Sequence, residues 1–384
     1  MQIDKIILLG GHIQALGLAR QVKDCGLPVI LCVKDKYSVA RFSNCISKCF
    51  ICKTEKETED FIYNNSNVNT LLFPTSDDYI DFIVDRYDVL KDKVQIGLPS
   101  LGVINTFNNK RSAYNYIKDL GIAQPITYCP NNLDDIIELS RTIEFPIVLK
   151  PAVMHSFHRK FGKKAYLCND QESLLEKSKF IEGGGYPVDK LILQEFLSGG
   201  AKTLYSYGVY AENGEVKSWV IANRIRQNPM DFGNSTTFAI TCMIPEIEAA
   251  AKVIIEATKY SGLAEIEFMY DEKTGQYKFL EINTRAWKWH SISNNFGWGF
   301  MSEMLRNKNT QSSCFTFPEK GKAWVERLTD FAVVLKELLK GRMRLSEVIK
   351  TYKISKISAV WNLRDIKPAI MYMILSPILF VKRH

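Results

Sequence analysis

The sequence predicts a mixed α/β and α+β protein: a doubly wound α/β unit, then a unit of antiparallel strands, then a helical extension. Three observations predict this. Lys5-Ile-Ile-Leu-Leu9 is a continuous apolar run, Gly10-Gly11 a turn, and Ile13, Leu16, Leu18, Ala19 and Val22 fall at helical spacing before a second apolar run, Pro28 to Val33. Continuous apolar runs of this length are strands buried on both faces, and strand–helix–strand order implies a parallel sheet. Further on, Gly262 to Tyr270 and Gln276 to Ile282 flank the turn residues Asp271 to Gly275, which reads as a hairpin. After about residue 300 the apolar period is helical.

The elements between follow in order. Leu71 to Pro74 ends another strand, and Thr75-Ser76-Asp77-Asp78 caps a helix. The first unit therefore covers about residues 1–100. Lys110 opens a helix that stops at Gly121; Pro125 to Thr127 is a strand and Leu133 to Thr142 a helix. Phe145 to Pro151 is an apolar strand carrying Lys150 near its end, and Leu191 to Leu197 is another strand. Thr203 to Tyr210 and Lys217 to Arg226 pair antiparallel, and Pro245 to Ser261 is a long helix. The second unit covers residues 101–300 and the helical extension 301–384.

Composition narrows the function classes. With 46% hydrophobic and 24% charged residues, the 384-residue chain is globular and long enough for two or three domains. The net charge of +8 has no dense stripe or nucleic-acid module, so nucleic acid is not an expected partner. A nucleotide or an anionic membrane surface suits it better. Nine cysteines, an odd number scattered along the chain, are no disulfide framework, and Cys45, Cys49 and Cys52 lack a fourth zinc ligand. Gly10, Gly11 and Gly17 do not make G-x-G-x-x-G, so no nicotinamide site is expected. No leader and no span of ~20 apolar residues is seen, which leads us to expect a cytoplasmic protein.

The chemistry concentrates in the hairpin. Side chains alternate along strands, so Glu281, Asn283 and Arg285 share one face, as do Glu265 and Glu267 on the neighbouring strand. Two carboxylates and an amide on adjacent strands are hard oxygen ligands that suit Mg²⁺, with Mn²⁺ as a substitute. An arginine beside them can hold a carboxylate or an acyl phosphate in bidentate fashion. Lys110 and Lys150 could neutralise phosphates from an opposite wall.

The order Lys110, Phe-Pro-Ile-Val-Leu-Lys150-Pro, Leu-Gln-Glu195-Phe-Leu197, Ile-Glu267-Phe and Leu-Glu281-Ile-Asn283-Thr-Arg285 resembles the ATP-grasp superfamily. The resemblance covers residues 1–300 and implies a Rossmann-like domain ahead of the grasp fold. It implies ATP bound by Lys110 and Lys150, with Lys163 and Lys164 near the phosphates and Gln194, Glu195, Phe196 and Leu197 as the adenine hinge. It further implies magnesium on Glu267, Glu281 and Asn283, and Arg285 with Lys150 at the reacting groups.

Three stretches resemble the carboxylate–amine ligases of that superfamily: residues 150–164, Arg224 to Gly233, and Arg285-Ala-Trp287-Lys-Trp289-His290. The resemblance thus implies small-molecule carboxylate and amine substrates, with Arg224, Arg226, Glu265, Trp287, Trp289 and His290 on the substrate side. Bicarbonate-dependent carboxylation and a non-catalytic nucleotide module stay open as alternatives. The loop after Lys150 has one glycine, Gly162, where many members have several; His155, His158, Arg159, Lys163 and Lys164 make a basic lid instead. His155 and His158 read either as phosphate contacts or as solvated loop, and Trp289 and His290 either as acceptor wall or as core. The tail Ile370 to Val381, broken at Pro377 and ending Lys382-Arg383, either packs on the protein or an oligomeric partner or rests peripherally on a membrane.

Overall fold

The computed structural model describes residues 2–23, 25–153, 157, 160–230, 233, 235–309, 321–354 and 356–383. The chain opens with a five-stranded parallel sheet. Its strands are β1 (Lys5–Leu9), β2 (Val29–Val33), β3 (Lys48–Ile51), β4 (Thr70–Pro74) and β5 (Gln95–Ile96), in the order β3-β2-β1-β4-β5. β1 and β4 are buried almost throughout because helices cover both faces. The order reverses beside β1, so the strand ends carrying Gly10-Gly11 and Thr75-Ser76 open a crevice. Gly10 has φ of +104°, and a Cβ there would meet the Thr75 hydroxyl at 2.3 Å. The turn therefore requires glycine for its geometry, with no dinucleotide fingerprint involved.

Two further sheets follow. Strands β6 (Thr127–Tyr128), β7 (Ile147–Pro151), β8 (Tyr166–Cys168) and β9 (Leu191–Glu195) form an antiparallel sheet in the order β6-β9-β7-β8, backed by helix Gln171–Gly183. The larger sheet has seven strands. Its members are β10 (Leu204–Glu212), β11 (Glu215–Asn228), β12 (Ser235–Cys242), β13 (Gly262–Asp271), β14 (Gln276–Asn283), β15 (Ala323–Val325) and β16 (Lys356–Ser358). Their order is β14-β13-β10-β11-β12-β15-β16. β15 and β16 belong to the expected helical extension, so that extension is sewn into the edge of the sheet rather than appended to it.

Helices Arg327–Leu339 and Leu345–Lys353 make the crossover between parallel β15 and β16, and helix Lys367–Arg383 closes the chain. That last helix runs through Pro377 and packs inward through Ala369, Tyr372 and Leu375. Arg20 secures the extension to the first domain, donating to Asp365 at 3.0 Å and to the Val360 carbonyl at 2.8 Å. One core cluster runs from Ile6 and Leu16 through Trp287 and Trp289 to Tyr372, which fuses the first sheet, the large sheet and the tail. The tail thus packs on the protein itself. Among the described residues no helix is long and apolar enough to cross a membrane.

Candidate active site

The two lysines are brought together by backbone geometry. Asn109 caps helix Lys110–Asp119, and the Lys110 N–H donates to the Ala152 carbonyl at 2.9 Å, just past the end of β7. Lys150, on β7, donates to the Gln194 side chain at 2.7 Å, and Gln194 is braced by Thr127 at 2.8 Å. Lys150 also lies 5.6 Å from the Tyr114 ring centroid. Burial and the charge of Lys110 push the Lys150 ammonium down to about 7, with Glu281 opposing them. Two partly buried cations with one nearby carboxylate form a site that an added anion stabilises.

The opposite wall is the β13–β14 hairpin. Glu265 sits across from Asn283 and Glu267 across from Glu281, and the register shifts only beyond Glu267. The Asn283 amide donates to Glu265 at 3.1 Å and to Glu267 Oε1 at 3.2 Å. Arg224 Nη1 reaches the same Glu267 oxygen at 2.6 Å. Glu281 is 42% exposed toward the cleft and meets Lys110 at 3.5 Å through Oε2. Burial alone would raise Glu281, but Lys110, Lys150 and Arg224 outweigh it and hold the carboxyl below its usual range. Burial pushes Glu267 up, against the pull of Arg224. Lys164 is close enough for Glu281, Asp77 and Glu267 to support its charge, while burial lowers it.

This donor set fits a hard divalent cation. The bonds from Arg224 and Asn283 both fall on Glu267 Oε1, and that from Lys110 falls on Glu281 Oε2. Each carboxylate thus has one oxygen that accepts no hydrogen bond from the described residues, on directly paired positions of adjacent strands. No group of three His, Cys, Asp or Glu side chains that could enclose a metal occurs among the described residues. Mg²⁺ needs no such cage, since it keeps water and phosphate ligands.

Beyond β14 the chain turns to the first domain. Arg285 makes a bidentate pair with Asp77, at 2.6 and 3.0 Å, and Asp77 opens helix Asp77–Asp85 behind β4. A cavity of about 380 Å³ lies here, lined by His12, Gln14, Tyr37, Asp77, Arg285 and Lys288 and closed on one side by Tyr372 of the last helix. Lys288 donates to Ser235 at 2.9 Å and lies 3.6 Å from Glu326.

Several expected substrate residues lie elsewhere. Arg226 is buried and forks onto Asp330 with two 2.8 Å bonds, so it holds the C-terminal helices, not a ligand. The reason is a bulge: three residues of β11 between Asn223 and Arg226 span two of β12, from Ile240 to Phe238, so Arg224 and Arg226 face different partners. Trp287 and Trp289 are core, each 1% exposed. Trp287 packs onto Gly208, where a Cβ would come within 2.0 Å of the indole. Trp289 donates to Glu265 at 2.8 Å, so Glu265 orients Trp289 and Asn283 from below the cleft rather than facing it. His290 is fully buried, its Nε2 at 3.1 Å from the Gln14 carbonyl and its charge suppressed by burial to about 4. A Cβ at Gly17 would strike that ring at 2.7 Å, which accounts for the glycine.

The segment's cavity-facing residue is Lys288, which sequence reasoning passed over between two tryptophans, along with His12, Gln14 and Asp77. An acidic helix start after a parallel strand was the one available signal for Asp77.

At the expected hinge, β9 ends at Glu195, whose carboxylate takes Lys278 at 2.8 Å and the Ile126 N–H at 3.0 Å. Phe196 and Leu197 lead on toward β10. Lys163 lies 5.2 Å from the Tyr166 ring centroid. The expected lid is anchored by Phe157, buried against Phe161, Tyr166 and Tyr186, while His155, His158 and Arg159 lie outside the described residues. The cysteines of the first domain are free thiols, and burial raises Cys45, Cys49 and Cys52.

Comparison with known proteins places the chain as a whole. Residues 109–306 match the family model "Carbamoyl-phosphate synthase L chain, ATP binding domain". D-aspartate ligase of Enterococcus faecium (strain Aus0004) is 23% identical over 297 residues, 73% of this chain and 70% of that protein. The C-terminal section of the carbamoyl phosphate synthase large chain of Methanopyrus kandleri is 25% identical over 177 residues, 44% of this chain and 31% of that one. Among solved structures, the biotin carboxylase domain of Hydrogenobacter thermophilus 2-oxoglutarate carboxylase superposes with TM-score 0.64 at 16% identity, covering 82% of this chain and 72% of that one. N5-carboxyaminoimidazole synthetase from Staphylococcus aureus does so with TM-score 0.61 at 15% identity, covering 80% and 77%. At such identities the structural likeness speaks for the fold alone.

Proposed function

The chain belongs to the family described as carbamoyl-phosphate synthase L chain, ATP binding domain, an ATP-grasp family of ligases, and from that premise we propose that it joins a small carboxylic acid to an amine at the expense of ATP. The observation that carries the reading is a run of neighbouring charges: Lys110 meets Glu281 at 3.5 Å, Glu281 pairs across the strands with Glu267 and feels Lys150, and Glu281 is also within electrostatic reach of Asp77 and Arg285, which line the cavity with Lys288. Lys110 and Lys150 take the nucleotide phosphates, and residues 194–197 take the base. Glu267 and Glu281, with Asn283 beside them, would hold magnesium, which when bound supplies charge neutralisation for the phosphates.

The carboxylate substrate occupies the cavity, where Asp77 already stands as an internal carboxylate on Arg285. A carboxylate oxygen attacks the γ-phosphorus; the bond from that phosphorus to the β-γ bridging oxygen breaks, and ADP leaves. Arg285 and Lys288 position the resulting acyl phosphate. The amine then attacks its carbonyl carbon, loses a proton, and phosphate departs with the C–O electron pair. Tyr372 shields one side of the cavity, which limits loss of the acyl phosphate to water.

The reading is tested by ADP release from the full chain with Mg-ATP, against a matrix of carboxylates that begins with D-aspartate and amines that include ammonia. ADP formation dependent on one carboxylate, with amide product, is expected. ADP release driven by bicarbonate alone would point instead to a carboxylase, and nucleotide binding without any turnover to a binding module.

A further inference from the structure

We infer that the helical hairpin of residues 327–353 is a docking surface for an anionic lipid bilayer, on which the protein lies peripherally. The charge of the chain is divided unevenly. Residues 321–384 hold 13 lysines and arginines against five acids, so the entire net charge of +8 resides in the last 64 residues, and residues 1–320 are neutral overall. The structure sharpens the division. Asp330, Glu337, Glu326 and Asp365 are buried and engaged by Arg226, Arg342, Lys288 and Arg20. Within 327–353 the one exposed acid is Glu347, against exposed Arg327, Lys336, Lys340, Arg342, Arg344, Lys350 and Lys353.

The same helices expose apolar side chains at helical spacing. Phe331, Leu335 and Leu339 recur every fourth residue on the first helix, opposite the buried Val333, Val334 and Glu337. Leu345 and Ile349 do so on the second, beside the buried Val348. Leu339 is 81% exposed and Leu345 62%, and the five-residue turn between the helices puts the two stripes in sequence. Because β15 and β16 clamp both ends of the hairpin to the large sheet, the stripes are rigidly presented.

Charge selects the occupant. A second copy of this chain meeting the patch face to face would bring like charges together, which disfavours a symmetric interface. A nucleic acid would satisfy the cations and leave the leucines in water. An anionic bilayer satisfies both: phosphates pair with the lysines and arginines while the apolar side chains enter the acyl boundary. Neither helix is long enough to do more than lie in that interface.

The test is co-sedimentation of the full chain with vesicles of phosphatidylcholine containing phosphatidylglycerol, and with phosphatidylcholine alone. Binding to the anionic vesicles should exceed binding to the neutral ones at least tenfold and weaken on raising the salt. L339D combined with L345D, and separately K340E combined with R344E, should each cut it about tenfold while ATP turnover and the melting temperature stay as in the wild type. The milder L339S with L345S serves if the first pair does not fold. No sedimentation with anionic vesicles at low salt overturns the inference. So does wild-type binding by the apolar variants. A wild-type dimer that the same variants convert to monomer would assign the surface to a second copy of the chain, and a DNA oligonucleotide that binds equally well to wild type and apolar variants would assign it to nucleic acid.

Discussion

Two arginines two residues apart on β11 bury their guanidinium groups in opposite ways. Arg226 and Asp330 form a closed pair: Arg226 donates twice, Thr237 and Tyr352 fill the remaining positions on the carboxylate at 2.8 and 2.9 Å, and Thr351 takes the last guanidinium nitrogen at 3.0 Å. Arg224 and Glu267 form an open pair. The Arg224 Nε–H has no acceptor among the described residues, and its 2.6 Å bond to Glu267 falls on one oxygen only. A buried charge network that is fully satisfied fixes structure, whereas one left short of partners is stabilised by whatever completes it. The open pair lies within electrostatic reach of Glu281 and the closed one against the C-terminal helices, so one strand carries an incomplete network beside a complete one.

The largest effect is expected of Asp330→Asn. It should cost about 3–5 kcal/mol of stability, the range for disrupting a buried pair, and nucleotide should not restore it. Thermal unfolding with and without Mg-ATP measures this; a melting temperature close to wild type would mean that the Asp330 network is not structural.

Next in size is Glu281→Gln. The fold should be kept, because the side chain is 42% exposed and the change is isosteric. ADP formation should fall by at least about 10²-fold, the scale of losing one charge-stabilising group at a reacting centre. Near-normal turnover at saturating Mg²⁺ would remove Glu281 from the metal site.

Much of the cleft wall was legible in the sequence because strand alternation is strict there. Glu265 and Glu267 alternate on one strand and Glu281 and Asn283 on the next, whereas the bulge between Glu267 and Phe268 that sets Glu267 opposite Glu281 has no signal in the pattern. Legibility failed where alternation stops. The bulge after Asn223 put Arg226 against the C-terminal helices, and β14 ends at Asn283, so no period assigned faces to Trp287, Lys288 and Trp289. Asp77, His12 and Gln14 reach the cavity through long-range packing of the first domain, which local pattern does not encode. The three-residue β15 and β16 are too short to stand out from a helical stretch. Short apolar segments of that kind take their structure from the sheet edge they join.

A third change sharpens the boundary between scaffold and site. Asp77 is 57% exposed and bridges two domains, so Asp77→Asn should alter stability by about 0–1 kcal/mol. It should, however, free Arg285 for an incoming carboxylate and lower the KM for that substrate several-fold with kcat little changed. A raised KM would mean that Asp77 binds the substrate rather than standing in for it.

The smallest effect is a proton. Lys150 titrates near 7 in the free protein, below its unfolded value, so between about 7 and 10.5 the unfolded chain holds a proton that the folded one lacks. Its contribution therefore makes stability rise with pH across that window, and the penalty for its burial is fully present below about 7. Phosphate binding reverses the shift. ATP binding at pH 8 should take up close to one proton, seen as an enthalpy that varies with the ionisation heat of the buffer, and Lys150→Met should abolish that dependence.

The proposed reaction forms an acyl phosphate that an amine captures. The most direct measurement supplies Mg-ATP, hydroxylamine as the amine, and one carboxylate at a time, and quantifies hydroxamate and ADP together. One carboxylate should yield hydroxamate and ADP in equal amounts, with both lost in Glu281→Gln. ADP release that bicarbonate alone sustains, with no hydroxamate from any carboxylate, would contradict the proposed reaction.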